Sequence, residues 1–200
     1  MRPQQRLDQA PLVTPFHVDL SDQVRRSVAT LYSHLVTRPT GQALRLGIES
    51  RIRESAGPCV SVLDFTEVVV LDYSCADETV AKLVRRYCAA NPPAPAYFMA
   101  RGVALHHRET LDTVLIRQGM ALVAEVAGLG PRLLGYASAL EHAVWTAVEE
   151  TGSVRPAELD ERLDEEGVSG AARALVGRRV VVAGPGGRLH SLSRLVRSER

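Results

Sequence analysis

The sequence lacks the features that mark membrane proteins, extracellular proteins and strongly charged proteins. No apolar run reaches the roughly 18 residues needed to cross a bilayer, and residues 1–14 are polar and interrupted by proline. The three cysteines (Cys59, Cys75 and Cys88) are odd in number and form no C-x-x-C pair, which is typical of reduced thiols. A net charge of +1 indicates no general affinity for nucleic acid. We therefore predict a cytoplasmic protein that does not enter a membrane.

The composition is that of an ordinary globular protein. Hydrophobic residues make up 46% and charged residues 24% of the 200 positions, enough to bury a core. Lys82 is the only lysine, so arginine carries nearly all of the positive charge. The length fits one large domain or two small ones.

One stretch, residues 60–88, predicts a strand, a turn and a helix in succession. Residues 60–65 form a buried-looking strand, and a short apolar run at residues 68–71 leads into Asp72-Tyr73-Ser74. Apolar residues then recur at the spacing of one helix face: Ala76, Val80, Leu83, Val84 and Tyr87. The stretch therefore places the hydroxyl of Ser74 at the start of a helix, where it can act as a cap or accommodate added negative charge.

The remaining elements of residues 16–136 predict an α/β layer sandwich, preceded by a leader at residues 1–15. Apolar periodicity and breaker residues predict these elements: strands at 16–20, 97–100, 120–126 and 133–134, and helices at 21–36, 43–52 and 107–118.

Residues 137–200 show a different pattern. Ser138 and Glu141 form a capping box at the start of a helix, and two further short helices follow. Two alternating segments flank Gly184-Pro185-Gly186-Gly187, which is typical of a β-hairpin. This order of three helices and a hairpin resembles a winged helix-turn-helix domain over residues 138–196, an α+β fold.

Residues 16–136 resemble the STAS domain, the fold of anti-sigma factor antagonists. That family usually carries Asp-Ser-Ser-Gly at this turn, and Asp72 and Ser74 stand in register with it, whereas Tyr73 and Cys75 depart from it. The wider pattern, including Thr37-Arg38-Pro39-Thr40-Gly41, is similar to STAS-like domains found with histidine-kinase-type ATPases. The resemblance implies a partner-binding and regulatory site at Asp72, Ser74, Cys75 and Asp77. Two interpretations of Ser74 stay open: a helix cap, or a regulated phosphorylation site.

The sequence contains few residue patterns suited to catalysis or metal binding. The acids Asp64, Asp72, Asp77 and Glu78 would suit a metal or acid–base site if they met, but no glycine-rich phosphate loop accompanies them. His106 and His107 are adjacent, so they face different ways and suit one metal ion poorly. Cys75 could be an exposed thiol activated by the helix start. We therefore predict no enzyme activity, no cofactor and no metal.

The charges of the C-terminal part divide along the chain. The first two helices are acidic, whereas Arg173, Arg178, Arg179 and Arg188 make the third helix and the hairpin basic. In a winged helix these elements contact DNA, which makes the four arginines candidate phosphate contacts. Against this, the third helix carries small residues and follows an acidic stretch at residues 164–166. DNA contact, protein docking and self-association into a homo-oligomer all stay open.

Together these patterns favour a non-catalytic bacterial regulatory adaptor. Its STAS-like domain would bind a protein partner, such as a histidine-kinase-like ATPase, and its winged-helix domain would be the output module. The alternative is a DNA-binding transcription regulator whose STAS-like part senses a ligand or dimerises.

Overall fold

The computed structural model describes residues 25–55 and 57–197. The predicted leader at residues 1–15, the predicted strand at residues 16–20 and the first four residues of the predicted helix at 21–36 lie outside the described residues. Up to residue 136 the strands are β1 (Arg25–Thr30), β2 (His34–Leu35), β3 (Cys59–Asp64), β4 (Val70–Leu71), β5 (Ala96–Val103), β6 (Ala121–Val126) and β7 (Gly130–Gly135). The helices are α1 (Arg38–Glu54), α2 (Tyr73–Ala76), α3 (Lys82–Tyr87) and α4 (Leu105–Arg117), and a π-helical turn (Asp77–Ala81) joins α2 to α3.

These elements form an α/β fold around a mixed five-stranded sheet. The strand order is β1-β3-β5-β6-β7, with the first four strands parallel and β7 antiparallel to β6. The strands follow one another in chain order, and α1, the α2–α3 helix and α4 pack on the same face of the sheet. The connections thus cover only that one face, while β2 and β4 form a separate two-stranded parallel ribbon.

The predicted helix at residues 21–36 is wrong over its described part. Residues Arg25–Thr30 form β1, which pairs with β3 so that Val28 lies beside Val62. The helical spacing of the apolar residues arises because Leu31 and Leu35 are buried from a loop and from β2. Pairing with a buried strand therefore decided the conformation of a segment whose apolar period suggested a helix.

The C-terminal part adds a smaller antiparallel sheet and four helices among the described residues. Its elements are α5 (Ala139–Thr151), β8 (Ser153–Val154), α6 (Pro156–Leu163), α7 (Val168–Gly177), β9 (Val181–Ala183), β10 (Leu189–Ser191) and α8 (Leu192–Arg197). The predicted capping box is present, since the Ser138 hydroxyl accepts from the Glu141 amide at 3.1 Å. The hairpin of β9 and β10 is present too, and β8 pairs with the outer side of β10. β8 and α8 have no counterpart among the elements predicted from the sequence.

One hydrophobic core crosses the boundary at residue 136. The sheet face opposite α1 and α4 carries Val62, Tyr97 and Met99, and these pack in one cluster with Trp145 and Leu175 of the C-terminal part. A parallel sheet needs cover on both faces. The C-terminal part supplies the second cover, so residues 25–136 and 137–197 share their interior.

Among the described residues, no helix combines the length and apolar character that a membrane span requires.

Candidate functional site

Asp72 caps the helix that carries Ser74. Its Oδ1 accepts hydrogen bonds from the Ser74 amide at 2.7 Å, from the Cys75 amide at 3.3 Å and from the Ser74 hydroxyl at 2.5 Å. The hydrogen bonds from the Ser74 hydroxyl and amide lower the pKa of Asp72. The predicted role of Ser74 as the cap is therefore wrong, because the carboxylate two residues earlier fills it. Ser74 is half-buried, and its hydroxyl is held by that cap.

The Cys75 side chain is fully buried beneath the turn. It has no exposed surface, and its Sγ lies 3.8 Å from the Thr79 hydroxyl. Burial raises the pKa of the thiol. The expectation of an exposed, activated cysteine is wrong, and Cys75 contributes packing below the surface rather than a contact on it.

The π-helical turn brings two acids into a cluster of cations. Glu78 accepts from Arg38 at 2.8 Å and pairs with Arg45 at 3.7 Å and with Lys82. Asp77 accepts from the Gln118 amide at 2.8 Å and lies 3.5 Å from Arg38. Burial opposes the ionisation of Glu78, but the hydrogen bonds from Lys82 and Arg38 outweigh it and lower its pKa. Single π-helical turns within α-helices are often found at functional sites. Here the turn directs Glu78 toward α1 and Lys82, and Asp77 toward Arg38 and Gln118.

A pocket opens between the starts of α1 and α2 and the end of α4. Its volume is about 340 Å³. Seven side chains line it: Arg38, Tyr73, Ser74, Asp77, Val114, Arg117 and Gln118. Of these lining residues, Tyr73 is 47% exposed. The pocket thus combines two guanidinium groups, a carboxylate, an amide and an aromatic ring with the hydroxyl of Ser74.

The start of α1 closes one side of this pocket. Thr37 precedes the helix with a φ of 74°, a positive value that is rare for a β-branched residue. At Gly41 a Cβ atom would lie 2.7 Å from the Cys75 carbonyl oxygen and 2.8 Å from the Glu78 Cβ. The absent side chain of Gly41 therefore lets α1 approach the Ser74 helix closely.

The four acids considered for a metal site do not converge. Asp64 lies apart from the pocket, and its carboxylate accepts from Arg101 at 2.5 Å and from the Thr66 hydroxyl at 2.6 Å. Of the two adjacent histidines, His107 is buried and its Nε2 lies 3.2 Å from the Val69 carbonyl oxygen, which makes that nitrogen the donor. Burial and the neighbouring His106 lower the pKa of His107. Within residues 25–55 and 57–197, no three His, Cys, Asp or Glu side chains group as metal ligands do.

The four predicted DNA-contacting arginines lie in different environments. Arg179 is only 2% exposed, and its guanidinium donates to the Ala96 carbonyl at 3.0 Å. Arg178 donates to the Tyr136 carbonyl at 2.7 Å and pairs with Glu141 at 3.4 Å. Arg188 binds the Ser153 hydroxyl at 3.1 Å, and Arg173 is exposed. The prediction that Arg179 contacts phosphate is wrong, because its side chain joins the C-terminal part to the start of β5.

Arg117 and Gln118 were not predicted as site residues from the sequence. Arg117 is the last residue of α4 and Gln118 follows it, and neither belongs to a sequence motif. Only the packing of α4 against α2 and the π-helical turn shows that they line the pocket. Comparison with protein-family models, curated proteins and solved structures gives no match to this chain.

Replacing Glu78 by glutamine should destabilise the protein in a pH-dependent way. Glu78→Gln keeps the size of the side chain but removes the charge that faces Arg38, Arg45 and Lys82, so we expect a loss of about 1–2 kcal/mol at pH 7. The folded pKa is lowered, so the ionised group stabilises the fold above its unfolded pKa of about 4.3. That contribution is lost as the pH falls through the folded pKa.

Urea unfolding of wild type and Glu78→Gln at pH 7 and at pH 3 measures this effect. Glu54→Gln on the exposed side of α1 is the matched control and should change stability little at either pH. A loss from Glu78→Gln that is the same at both pH values would contradict the ion cluster as its cause.

Proposed function

We propose that this chain is a non-catalytic regulatory protein of the cytosol. In this proposal a STAS-like N-terminal part binds a protein partner at the surface around Ser74, and a winged-helix-like C-terminal part is the output module. The observation that carries the proposal is the Asp72 cap, which holds the Ser74 hydroxyl at the mouth of a pocket between α1, α2 and α4. A histidine-kinase-like ATPase is the class of partner that the resemblance implies.

Exposed apolar side chains near the turn support a protein partner. The side chains of Tyr73, Val70 and Val36 are exposed. They lie on neighbouring segments because β2 pairs with β4 and the Asp72 amide donates to the Leu35 carbonyl. Apolar surface of this kind is typical of protein contacts rather than of a solvated helix start. The nearby acids Asp72, Asp77 and Glu78 already accept hydrogen bonds, which favours binding over acid–base chemistry.

The environment of Ser74 suits a control point that acts by repulsion. Its hydroxyl donates to Asp72, and Asp77 lines the same pocket. A negative group added at Ser74 would lose this hydrogen bond and face two carboxylates, which weakens the cap of α2. The surface that Tyr73 presents would then change along with the charge.

For the C-terminal part, the observations favour protein docking over DNA. Arg179 is buried, Arg178 is paired with Glu141, and the exposed residues Asp164, Glu165 and Glu166 precede α7. Acids at the start of a recognition helix would repel phosphate. Exposed Arg173 and half-buried Arg188 are the remaining cations that suit the alternative of a DNA-binding regulator.

Affinity capture from the native host, with wild type and three variants as baits, tests the proposal. Ser74→Ala removes one hydroxyl but leaves the amide hydrogen bonds to Asp72, so partner affinity should change little. Ser74→Asp adds a charge beside Asp72 and Asp77, and a repulsion on the order of 1 kcal/mol should change affinity about fivefold. Ser50→Asp makes the same charge change about three turns after the start of α1. It is the matched control and should bind like wild type.

Equal capture by all baits would remove Ser74 as a control point, and failure to capture any protein would remove the partner-binding function. Recovery of nucleic acid would support the DNA-binding alternative instead if the double substitution of Arg173→Ala and Arg188→Ala abolishes it. The binding to duplex DNA should then also weaken steeply as the salt concentration rises.

A further inference from the structure

Arg117 is the cation of the Ser74 pocket that has no partner of its own in the described part of the chain. It lies in the last turn of α4 and is exposed. No ion pair and no side-chain hydrogen bond joins it to another residue within 25–55 and 57–197. The second guanidinium of the pocket, Arg38, is by contrast bound to Glu78 and lies near Asp77.

Several other donors near Ser74 are already engaged within the protein. The amides of Ser74 and Cys75, the second and third residues of α2, donate to Asp72. The Gln118 amide donates to Asp77, and the oxygen of Gln118 accepts from Arg85 at 2.8 Å. The Asp72 carboxylate would repel an anion introduced at Ser74, and Arg117 lines the same pocket without a partner among the described residues.

We propose that Arg117 binds the phosphate of Ser74 once that residue is phosphorylated, and so joins α2 to α4 in the modified protein. The proposal rests on the proposed role of Ser74 as the control point. The phosphoryl donor is a nucleoside triphosphate supplied with a partner kinase. The Ser74 Oγ forms a bond to the γ-phosphorus, the bond from that phosphorus to the leaving diphosphate oxygen breaks, and the Oγ proton passes to the kinase.

Two changes follow from this exchange of partners. Phosphorylated Ser74 no longer has a hydroxyl hydrogen to donate to Asp72. Its phosphate instead binds a planar guanidinium, which can donate to two of the phosphate oxygens. Because a phosphoserine carries a charge of about −1.5 to −2 at pH 7, the net charge of the pocket becomes more negative even after Arg117 neutralises part of it. A partner that binds the unmodified pocket would meet both a changed charge and a new link between two helices.

The ionisation of phosphoserine reports this contact without any partner protein. Full-length protein with phosphoserine encoded at position 74 is titrated by phosphorus NMR, in wild-type, Arg117→Ala and Arg108→Ala backgrounds. A neighbouring guanidinium favours the dianion, so Arg117→Ala should raise the second phosphate pKa by about 0.5 unit or more from a value near 6. Arg108 is exposed on the same helix but outside the pocket, and Arg108→Ala should leave the pKa unchanged.

A titration that Arg117→Ala does not shift overturns the proposal, and so does one shifted only by Arg38→Ala. If phosphoserine prevents folding, Ser74→Glu takes its place, and urea unfolding of the single and double variants measures the coupling between Glu at position 74 and Arg117. Ser74→Glu should then cost more stability with Arg117→Ala than without it, and additive losses overturn the proposal. Either result is independent of partner capture, so a failure here is distinguishable from a failure of the proposed function.

Discussion

A chain that ends after Tyr136 is expected not to fold as a stable unit. The cut would expose the sheet face that now contacts the C-terminal part: Val60, Val62, Tyr97, Met99, Ala121, Val123 and Leu133. Burial of a large apolar side chain is worth about 1.5–3 kcal/mol, so the loss sums to roughly 10 kcal/mol. That is comparable with the whole stability of a typical domain, about 5–15 kcal/mol.

The cut also removes polar links between the two parts. Arg179 donates to the Ala96 carbonyl, and Arg26 donates to the Val196 carbonyl at 3.0 Å. Two-dimensional NMR spectra and urea unfolding of residues 1–136, beside those of the full chain, measure the outcome. The expected result is poor dispersion and no cooperative transition, with recovery when residues 137–200 are supplied in trans. A dispersed spectrum and a cooperative transition for the fragment alone would mean that the two parts are independent domains.

Substituting alanine at two glycines of α1 should have opposite effects on stability. At Gly41 the new Cβ would lie 2.7 Å from a backbone oxygen of the Ser74 helix, and backbone yields less easily than a flexible side chain. Overpacking of this kind typically costs about 1–3 kcal/mol, and we expect Gly41→Ala to lie at the upper end of that range. At Gly47, six residues later in the same helix, a Cβ would meet nothing within 4 Å. Gly47→Ala should therefore stabilise the protein by about 0.5–1 kcal/mol through helix propensity alone.

Chemical denaturation of the two variants measures this difference, and the amide resonances of residues 72–79 report whether α1 has moved away from the Ser74 helix. We expect these resonances to shift in Gly41→Ala and to remain in place in Gly47→Ala. Equal stabilisation by both substitutions would show that the close approach of α1 is not required at Gly41.

Much of the local structure could be predicted from sequence, because its causes lie within a few residues. The Ser138–Glu141 capping box and the hairpin around Pro185 depend on near neighbours, and both are present. The strand, turn and helix of residues 60–88 follow from apolar periodicity and are also present, as β3, Asp72 and the α2–α3 helix. The error at residues 25–30 arose because the partner of that strand, β3, lies more than thirty residues away along the chain.

The features of the site also divide into those with local causes and those that depend on distant residues. The sequence alone placed Asp72 and Ser74 together at the start of a helix, since two positions separate them and a carboxylate suits that place. It could not reveal that Asp72 rather than Ser74 is the cap, that Cys75 faces the core, or that Arg179 is buried beside Ala96. Those outcomes depend on which surfaces other elements cover.

The pocket itself is a product of the tertiary structure. Arg38, Ser74 and Arg117 are separated by 36 and 43 positions, and they meet only because α1, α2 and α4 pack on one face of the sheet. The sequence determined which segments become strands and helices wherever local hydrogen bonds and apolar period agree. The tertiary structure decided which charges are neutralised, which cysteine and arginine are buried, and which cation remains available beside Ser74, because burial and pairing depend on neighbours distant in sequence.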